Sequence, residues 1–326
     1  MLIQVLILIV SLAALVWSAD KFVFGASAVA RNFGISPMII GLTIVAMGSS
    51  APEMMVAATA GLQGNADTGI GNAIGSNITN IGLVLGITAL MAPLAVSSET
   101  VKKEIPLTFA ITLLAYWMVS DAHFSRTEGI VLFVGFFVYI IALLLITLHR
   151  AKGRQVDDPL LIDAQNEVPD NVTNSSALLW LVVGMIILPA SAHFLVESSV
   201  FIAKQFGISD LVIGLTIIAI GTSLPELAAS VMSIIRKEDD LAIGNIIGSN
   251  IFNILAVLSL AGLFAPGDID PKAAVRDAPY MLGVTGLLFF LCFSRTFGRF
   301  RITRLKGAVL LLTFIAYQVI LFQSHA

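Results

Sequence analysis

Charged residues are scarce in this sequence. Asp, Glu, Lys and Arg make up 12% of it against 57% hydrophobic residues, a balance that excludes a soluble globular domain, in which about a quarter of residues are charged. A single cysteine, Cys292, lies in an apolar stretch; it excludes an intramolecular disulfide framework, and its thiol is expected to serve packing. The four histidines offer no nucleophile–base pair or metal-binding cluster to an intramembrane enzyme: His123, His149 and His325 fall in loops or at the tail, and His193 has no evident partner. No GxxxxGK[ST] phosphate loop occurs, which excludes nucleotide hydrolysis by that route. Short alternating strands are absent too, which argues against a membrane β-barrel.

What is present is apolar length. Several runs, such as Ile130 to Leu148 and Ala308 to Phe322, approach or reach the ~20 residues that cross ~30 Å of hydrocarbon as a helix. Breaks rich in charge, Pro or Gly divide the chain into ten expected helices at 2–19, 38–60, 71–92, 105–120, 128–148, 177–196, 211–235, 244–264, 278–294 and 305–322. The first and sixth are expected to continue as amphipathic stretches to Asn32 and Gln205. The first has no basic residue before it and no small-residue cleavage site after it, so it reads as a retained span rather than a signal peptide. Fourteen of the 18 Lys and Arg residues, among them Lys102, Lys103, Arg236, Arg301 and Arg304, fall on one side of this arrangement. By the positive-inside rule that side is cytoplasmic and both termini are extracytoplasmic.

The chain is a duplication. A shift of 173 residues aligns Phe33–Leu85 with Phe206–Leu258 without a gap, and half of the aligned positions are identical. The identities cluster: Gly41 to Glu53 (GLTIVAMGSSAPE) matches Gly214 to Glu226 (GLTIIAIGTSLPE), and Gly71 to Ile81 (GNAIGSNITNI) matches Gly244 to Ile254 (GNIIGSNIFNI). From Met54 to Ala66 nothing matches. Helix packing alone would let both stretches drift alike, so a local arrangement of Gly, Ser, Asn, Pro and Glu has been held. Five helices per half, an odd number, implies that the second copy is inverted relative to the first. The expected architecture is therefore an all-α integral membrane protein of ten transmembrane helices in two inverted five-helix repeats, at 1–148 and 177–326, joined by a cytoplasmic linker over 149–176. In that linker the triplets beginning at Asn171 and Asn174 match glycosylation sites incidentally.

Glu53 and Glu226 lie inside apolar helices, where an ionised side chain costs on the order of 3 kcal/mol unless paired or hydrated. No Lys or Arg shares those helices at a matching depth, and a bound cation is the natural partner. The alternative is a protonated, hydrogen-bonded pair of carboxyls. Pro52 and Pro225 each remove a donor and crowd the carbonyl four residues back, so a kink is expected there. That kink would free the carbonyls around Ala46 and Ala219 as ligands. Ser49 and Glu53, like Thr222 and Glu226, are spaced to share a helix face, with Ser50 and Ser223 beside them. On the next helix Asn72, Ser76 and Asn80 form a stripe, repeated by Asn245, Ser249 and Asn253. Asn77 and Asn250 lie off the stripe and suit either a ligand or a helix–helix hydrogen bond. Gly71, Gly75, Gly244 and Gly248 have the small-xxx-small spacing of close helix approach. A donor set of oxygen alone suits Ca2+ or Na+ and argues against zinc or copper. Two carboxylates neutralise one divalent or two monovalent ions, so the two would compete for the same oxygens.

These motifs, GSSAPE, GTSLPE and the paired GNxxGSN segments, resemble the α-repeats of the sodium/calcium exchanger family of the calcium/cation antiporter superfamily, and the resemblance spans the whole chain. It implies exchange of Ca2+ against Na+ by alternating access, with the first and sixth helices sliding across the rest. The implied ion ligands are the carbonyls of Ala46 and Ala219 and the side chains of Ser49, Ser50, Glu53, Ser76, Asn80, Thr222, Ser223, Glu226, Ser249 and Asn253. Ser49 stands where the family usually has Thr. Asn253 stands where potassium-dependent members carry Asp, which speaks against K+ co-transport. The implied setting is a bacterial plasma membrane. Beyond the transported cations and membrane lipid, no cofactor, nucleic acid, nucleotide or obligate protein partner is expected. A proton/calcium exchanger with the same site is the nearest rival; a cation channel or an intramembrane enzyme fits less well.

Overall fold

The computed structural model describes residues 2–153, 172–206, 219–293, 295–296 and 299–323. Its helices are α1 (Leu2–Phe33), α2 (Pro37–Ser49), α3 (Ala51–Leu62), α4 (Ala66–Met91), α5 (Ile105–Val119), α6 (Arg126–Gly153), α7 (Asn174–Gln205), α8 (Leu224–Ile235), α9 (Asp239–Phe264), α10 (Ala273–Phe293) and α11 (Arg304–Gln323). A single turn, Ala219–Gly221, precedes α8. Among the described residues seven helices are long and apolar enough to cross a membrane, eight if the bent pair α2 and α3 is one span. α8 is a shorter apolar helix. The start of the helix expected over 211–235 lies outside the described residues, as does most of the expected linker.

Several boundaries differ from expectation for local reasons. α4 and α9 begin at Ala66 and Asp239, five residues before the expected starts. The side chain of Asn65 accepts from Thr68 N at 3.1 Å, and Asp67, Asp239 and Asp240 occupy first turns; a cap and early acidic residues stabilise helix N-termini. α6 runs on to Gly153 and α7 begins at Asn174, so helix enters both ends of the expected linker. α1 and α7 continue unbroken to Phe33 and Gln205.

The all-helical expectation also missed two small sheets. Strands β1 (Leu94–Ala95), β5 (Arg299–Ile302) and β4 (Arg295–Thr296) pair antiparallel in that order, and β2 (His123–Phe124) pairs with β3 (Gly267–Asp268). Each sheet joins a loop of the first half to a loop of the second, where backbone groups leaving a helix need new partners.

The duplication is visible in the elements. α3 and α4 recur as α8 and α9 with bounds displaced by 173 residues. The π-helical stretches Asn80–Leu85 and Thr100–Glu104 recur as Asn253–Leu258 and Ala273–Asp277 at the same displacement. The buried residues form two clusters. The larger joins α2, α4 to α6 and α9 to α11. The smaller is made chiefly by α1 and α7, with a few residues of α2, α8 and α9 against it. α1 and α7 approach each other through glycine: a Cβ on Gly25 would stand 2.3 Å from Leu181 N, and one on Gly184 would stand 2.6 Å from Phe22 Cα.

Candidate cation site between the two repeats

The candidate site begins at two helix breaks. α2 and α3 meet at a 48° bend where Ser50 takes φ −85°, ψ 10°. In the second copy Ser223 takes φ −91°, ψ 8° at the corresponding point. Pro52 and Pro225 lie in the first turns of the helices that follow; with no N–H, Pro52 cannot serve the Gly48 carbonyl, and its ring would clash there. Glu53 and Glu226 thus fall in the first turns of α3 and α8, where helix dipoles favour carboxylates.

The bend corrects one expectation. Ser49 and Glu53 do not share one helix face, because the helix is interrupted between them. A second correction concerns Ala46: its carbonyl is not freed, since it accepts from Ser50 N at 3.0 Å. The second copy differs, Ser223 N donating to Ile220 O at 3.1 Å instead. Ala219 opens the short turn before this bend.

Close approach of α2 and α9 brings the copies together. A Cβ on Gly244 would stand 3.0 Å from Gly41 Cα, and one on Gly248 would stand 2.8 Å from both Leu42 Cα and Leu42 O. At that distance Ser49 Oγ donates to Asn245 Oδ1 at 3.0 Å and lies 3.4 Å from Ser249 Oγ. Ser50 Oγ donates to Glu226 Oε1 at 2.8 Å. Asn72 Nδ2 donates to Glu53 O at 3.0 Å and Asn245 Nδ2 to Glu226 O at 3.4 Å, so these stripe members orient the two carboxylate-bearing turns. Asn245 Nδ2 also meets Ser230 Oγ at 3.1 Å. Asn77 Nδ2 donates to Asn250 O at 3.2 Å, a helix–helix bond rather than a contact with the carboxylates.

Ala46, Ser49, Ser50, Glu53, Ser76, Asn80, Ser223, Glu226, Ser249 and Asn253 are all buried, and Thr222 is half-buried. Around this point polar atoms have no hydrogen bond: both carboxylate oxygens of Glu53, Oε2 of Glu226, Oγ of Ser223, and both amide atoms of Asn80 and of Asn253. Native interiors satisfy nearly all such atoms, and here exceptions recur at matching positions of the two copies, Glu53 with Glu226, Asn80 with Asn253 and, off the stripe, Asn77 with Asn250. Neither glutamate has a cationic side-chain partner among the described residues. The donor chemistry, with hard oxygen predominating, fits Na+ or Ca2+. Among the described residues no group of three His, Cys, Asp or Glu side chains gathers.

Residues 3–145 and 176–323 match the family described as sodium/calcium exchanger protein. The chain belongs to the sodium/calcium exchanger family. Within reach of this family chain, CaxA of Alkalimonas amylolytica is 55% identical over 325 residues, covering 99% of this chain and 100% of that one. The sodium/calcium exchanger MaX1 of Methanosarcina acetivorans is 32% identical, covering 97% and 98%. Among solved structures, the sodium-calcium exchanger NCX_Mj soaked with 10 mM Na+ superposes with a TM-score of 0.80 at 30% identity, covering 97% of each chain. The protein is thus a membrane protein of a cation antiporter family, and its named relatives are transporters rather than enzymes.

Sequence reasoning assigned each glutamate to the hydroxyls of its own copy and missed that Ser50 crosses to Glu226. It also missed Ser230, whose counterpart in the first copy is Ala57; a position that differs between the copies carries no repeat signal.

Proposed function

We propose that this exchanger-family protein is a secondary active antiporter that moves Ca2+ against Na+ through the buried site between Glu53 and Glu226. The reading is supported above all by the carboxylate and amide atoms that both copies leave buried without hydrogen bonds at matching positions. The proposed ion ligands are Glu53, Glu226, Ser49, Ser50, Thr222, Ser223, Ser76, Ser249, Asn80 and Asn253, with the Ala46 and Ala219 carbonyls; Ala46 O accepts from Ser50 N and has a second lone pair to offer an ion. Two carboxylates balance one Ca2+ or two Na+, and excess charge of either sign is costly in low dielectric, so occupancy is mutually exclusive. That exclusion couples the two flows.

The proposed topology is ten spans in two inverted five-helix repeats over 1–148 and 177–326, with 149–176 as a cytoplasmic linker and both termini outside a bacterial plasma membrane. Inverted repeats have two related packings, and exchanging them gives alternating access. The test is radiolabelled Ca2+ uptake into proteoliposomes loaded with Na+ and diluted into Na+-free buffer, comparing wild type with Glu53→Gln and Glu226→Gln. Uptake is expected to require internal Na+ and to vanish in both variants. Uptake driven by a pH gradient regardless of Na+ would replace Na+ by H+ as the counter-ion, and none under either gradient would refute the calcium assignment.

A further inference from the structure

The α1–α7 pair carries its own apolar cluster, separate from the main core, and one polar attachment stands out along its border. Arg236, at the C-terminus of α8, donates to Asp20 Oδ1 of α1 through Nε at 2.9 Å and also through Nη2. Both side chains are about two-thirds buried, at 32% and 30% exposure. The guanidinium also lies 5.4 Å from the centre of the Phe24 ring, so one arginine grips two successive turns of α1. Lys21 on the same turn sits 3.5 Å from Asp20 and 5.1 Å from the ring centre of Trp180 on α7, and Trp180 stacks edge-on against Trp17 of α1. The paired helices are thus packed on each other and fastened to α8 by Asp20–Arg236.

The duplication makes the attachment informative. Displaced by 173 residues, Asp20 becomes His193 on α7, and Arg236 corresponds to Gln63 at the end of α3. The mirror contact therefore has no ion pair available. His193 is exposed, with Glu197 as its only charged neighbour at 4.0 Å among the described residues, and Gln63 is exposed as well. The packing is equally one-sided: α1 lies along α8, whereas no comparable seam joins α7 to α3.

We infer that Asp20 and Arg236 form a one-sided latch that holds the α1–α7 pair against α8 in the packing seen here and biases the protein toward that one of its two access states. This rests on the alternating-access reading above. In the opposite packing α7 would close on α3, where His193 and Gln63 give nothing in exchange for the broken pair. The latch therefore tilts an equilibrium that the repeat alone would leave near balance. A partly buried Arg–carboxylate pair of this kind is expected to shift the ratio of states by about twofold to fivefold.

Hydrogen exchange followed by mass spectrometry on the purified full-length protein, without transported ions, tests this independently of which ion is carried. Asp20→Asn and Arg236→Gln are each expected to speed exchange about twofold to fivefold in peptides spanning 17–27 and 228–238. The same variants should slow exchange at 54–64 and 190–198, as α7 spends more time on α3. The charge-swapped double variant Asp20→Arg, Arg236→Asp should return both sets toward wild type. Building the mirror pair with Gln63→Arg and His193→Asp should slow exchange at 54–64 and 190–198 in an otherwise wild-type protein. Faster exchange confined to the mutated turns, with no slowing at the mirror seam in any variant, would make the pair simple packing and overturn the latch. A full exchange response in a protein that carries no Ca2+ would leave the latch standing and remove the calcium assignment.

Discussion

Gly248→Ala puts the geometry of the site to a demanding test because it adds one methyl group and no charge. Its Cβ would stand 2.7 Å from Ala46 Cβ and 2.8 Å from both Leu42 Cα and Leu42 O. Two of those three atoms are backbone, so no rotamer change relieves the clash. Ordinary contact starts at 3.4 Å, so α2 must retreat from α9 by about 0.6 to 0.7 Å, the shortfall of the 2.8 and 2.7 Å separations. Overpacking of this kind typically costs about 1 to 3 kcal/mol. The displaced stretch carries Ala46 and leads into Ser49 and Ser50, whose hydroxyls reach Asn245, Ser249 and Glu226 across the same seam. Misplacement of a positioned group by about 1 Å costs about a hundredfold, so apparent Ca2+ affinity in Na+-driven uptake is expected to fall about tenfold to a hundredfold. Gly283→Ala is the control: no atom among the described residues lies within 4 Å of its added Cβ, and replacing a helical glycine by alanine stabilises by about 0.5 to 1 kcal/mol. Wild-type affinity in Gly248→Ala, with the protein folded and the control unchanged, would refute the claim that the α2–α9 seam sets the ligand positions.

The two copies should not respond alike to loss of their orienting amides. Asn245 bonds Ser49, Ser230 and the Glu226 carbonyl, whereas Asn72 bonds the Glu53 carbonyl; at about 1 kcal/mol per net hydrogen bond, Asn245→Ala is expected to lower transport several times more than Asn72→Ala in the same uptake assay, and equal losses would count against the asymmetry. At the β2–β3 clasp, His123 Nδ1 lies 2.8 Å from Asp268 Oδ1, and that hydrogen bond raises the imidazole pKa from its ordinary value of 6.5. A raised folded-state pKa means that the contact contributes fully below pH 6.5 and fades as pH climbs through the folded value. Protection factors at 122–124 and 267–269, taken against the intrinsic base-catalysed exchange of free amides at each pH, should therefore fall on passing from mildly acidic to alkaline pH, and Asp268→Asn should remove that fall; a protection profile that survives the substitution would discard the clasp as its source.

Much of this site was legible before any coordinates because the chain contains its own comparison. Two copies of one segment show which residues drift and which are held, so Glu53, Glu226, their prolines and the GSN triplets stand out without an external reference. The structure is where the copies became unequal. Ser50 N bonds Ala46 O whereas Ser223 N bonds Ile220 O, a difference of one residue in a turn whose two sequences are nearly the same. The helix starts at Ala66 and Asp239 were missed because polar first turns read as loop, although Asn65 and the acidic residues that follow are the groups that stabilise a helix N-terminus. The small sheets were missed because two-residue strands carry no periodicity to read.

The amino-acid sequence alone determined that this protein belongs in a membrane, that it is built from two related halves, and that each half carries a buried carboxylate beside a proline break. Those properties are local: hydropathy, spacing and the missing proline N–H act within a few turns of chain. Which hydroxyl meets which carboxylate was decided only by tertiary structure. Ser50 and Glu226 are 176 residues apart, and the contact exists because glycines at positions 41, 244 and 248 let two backbones approach closely enough for short side chains to cross. The same holds for Asp20 and Arg236, 216 residues apart, a pair that no spacing rule connects and that the packing of α1 on α8 alone brings together.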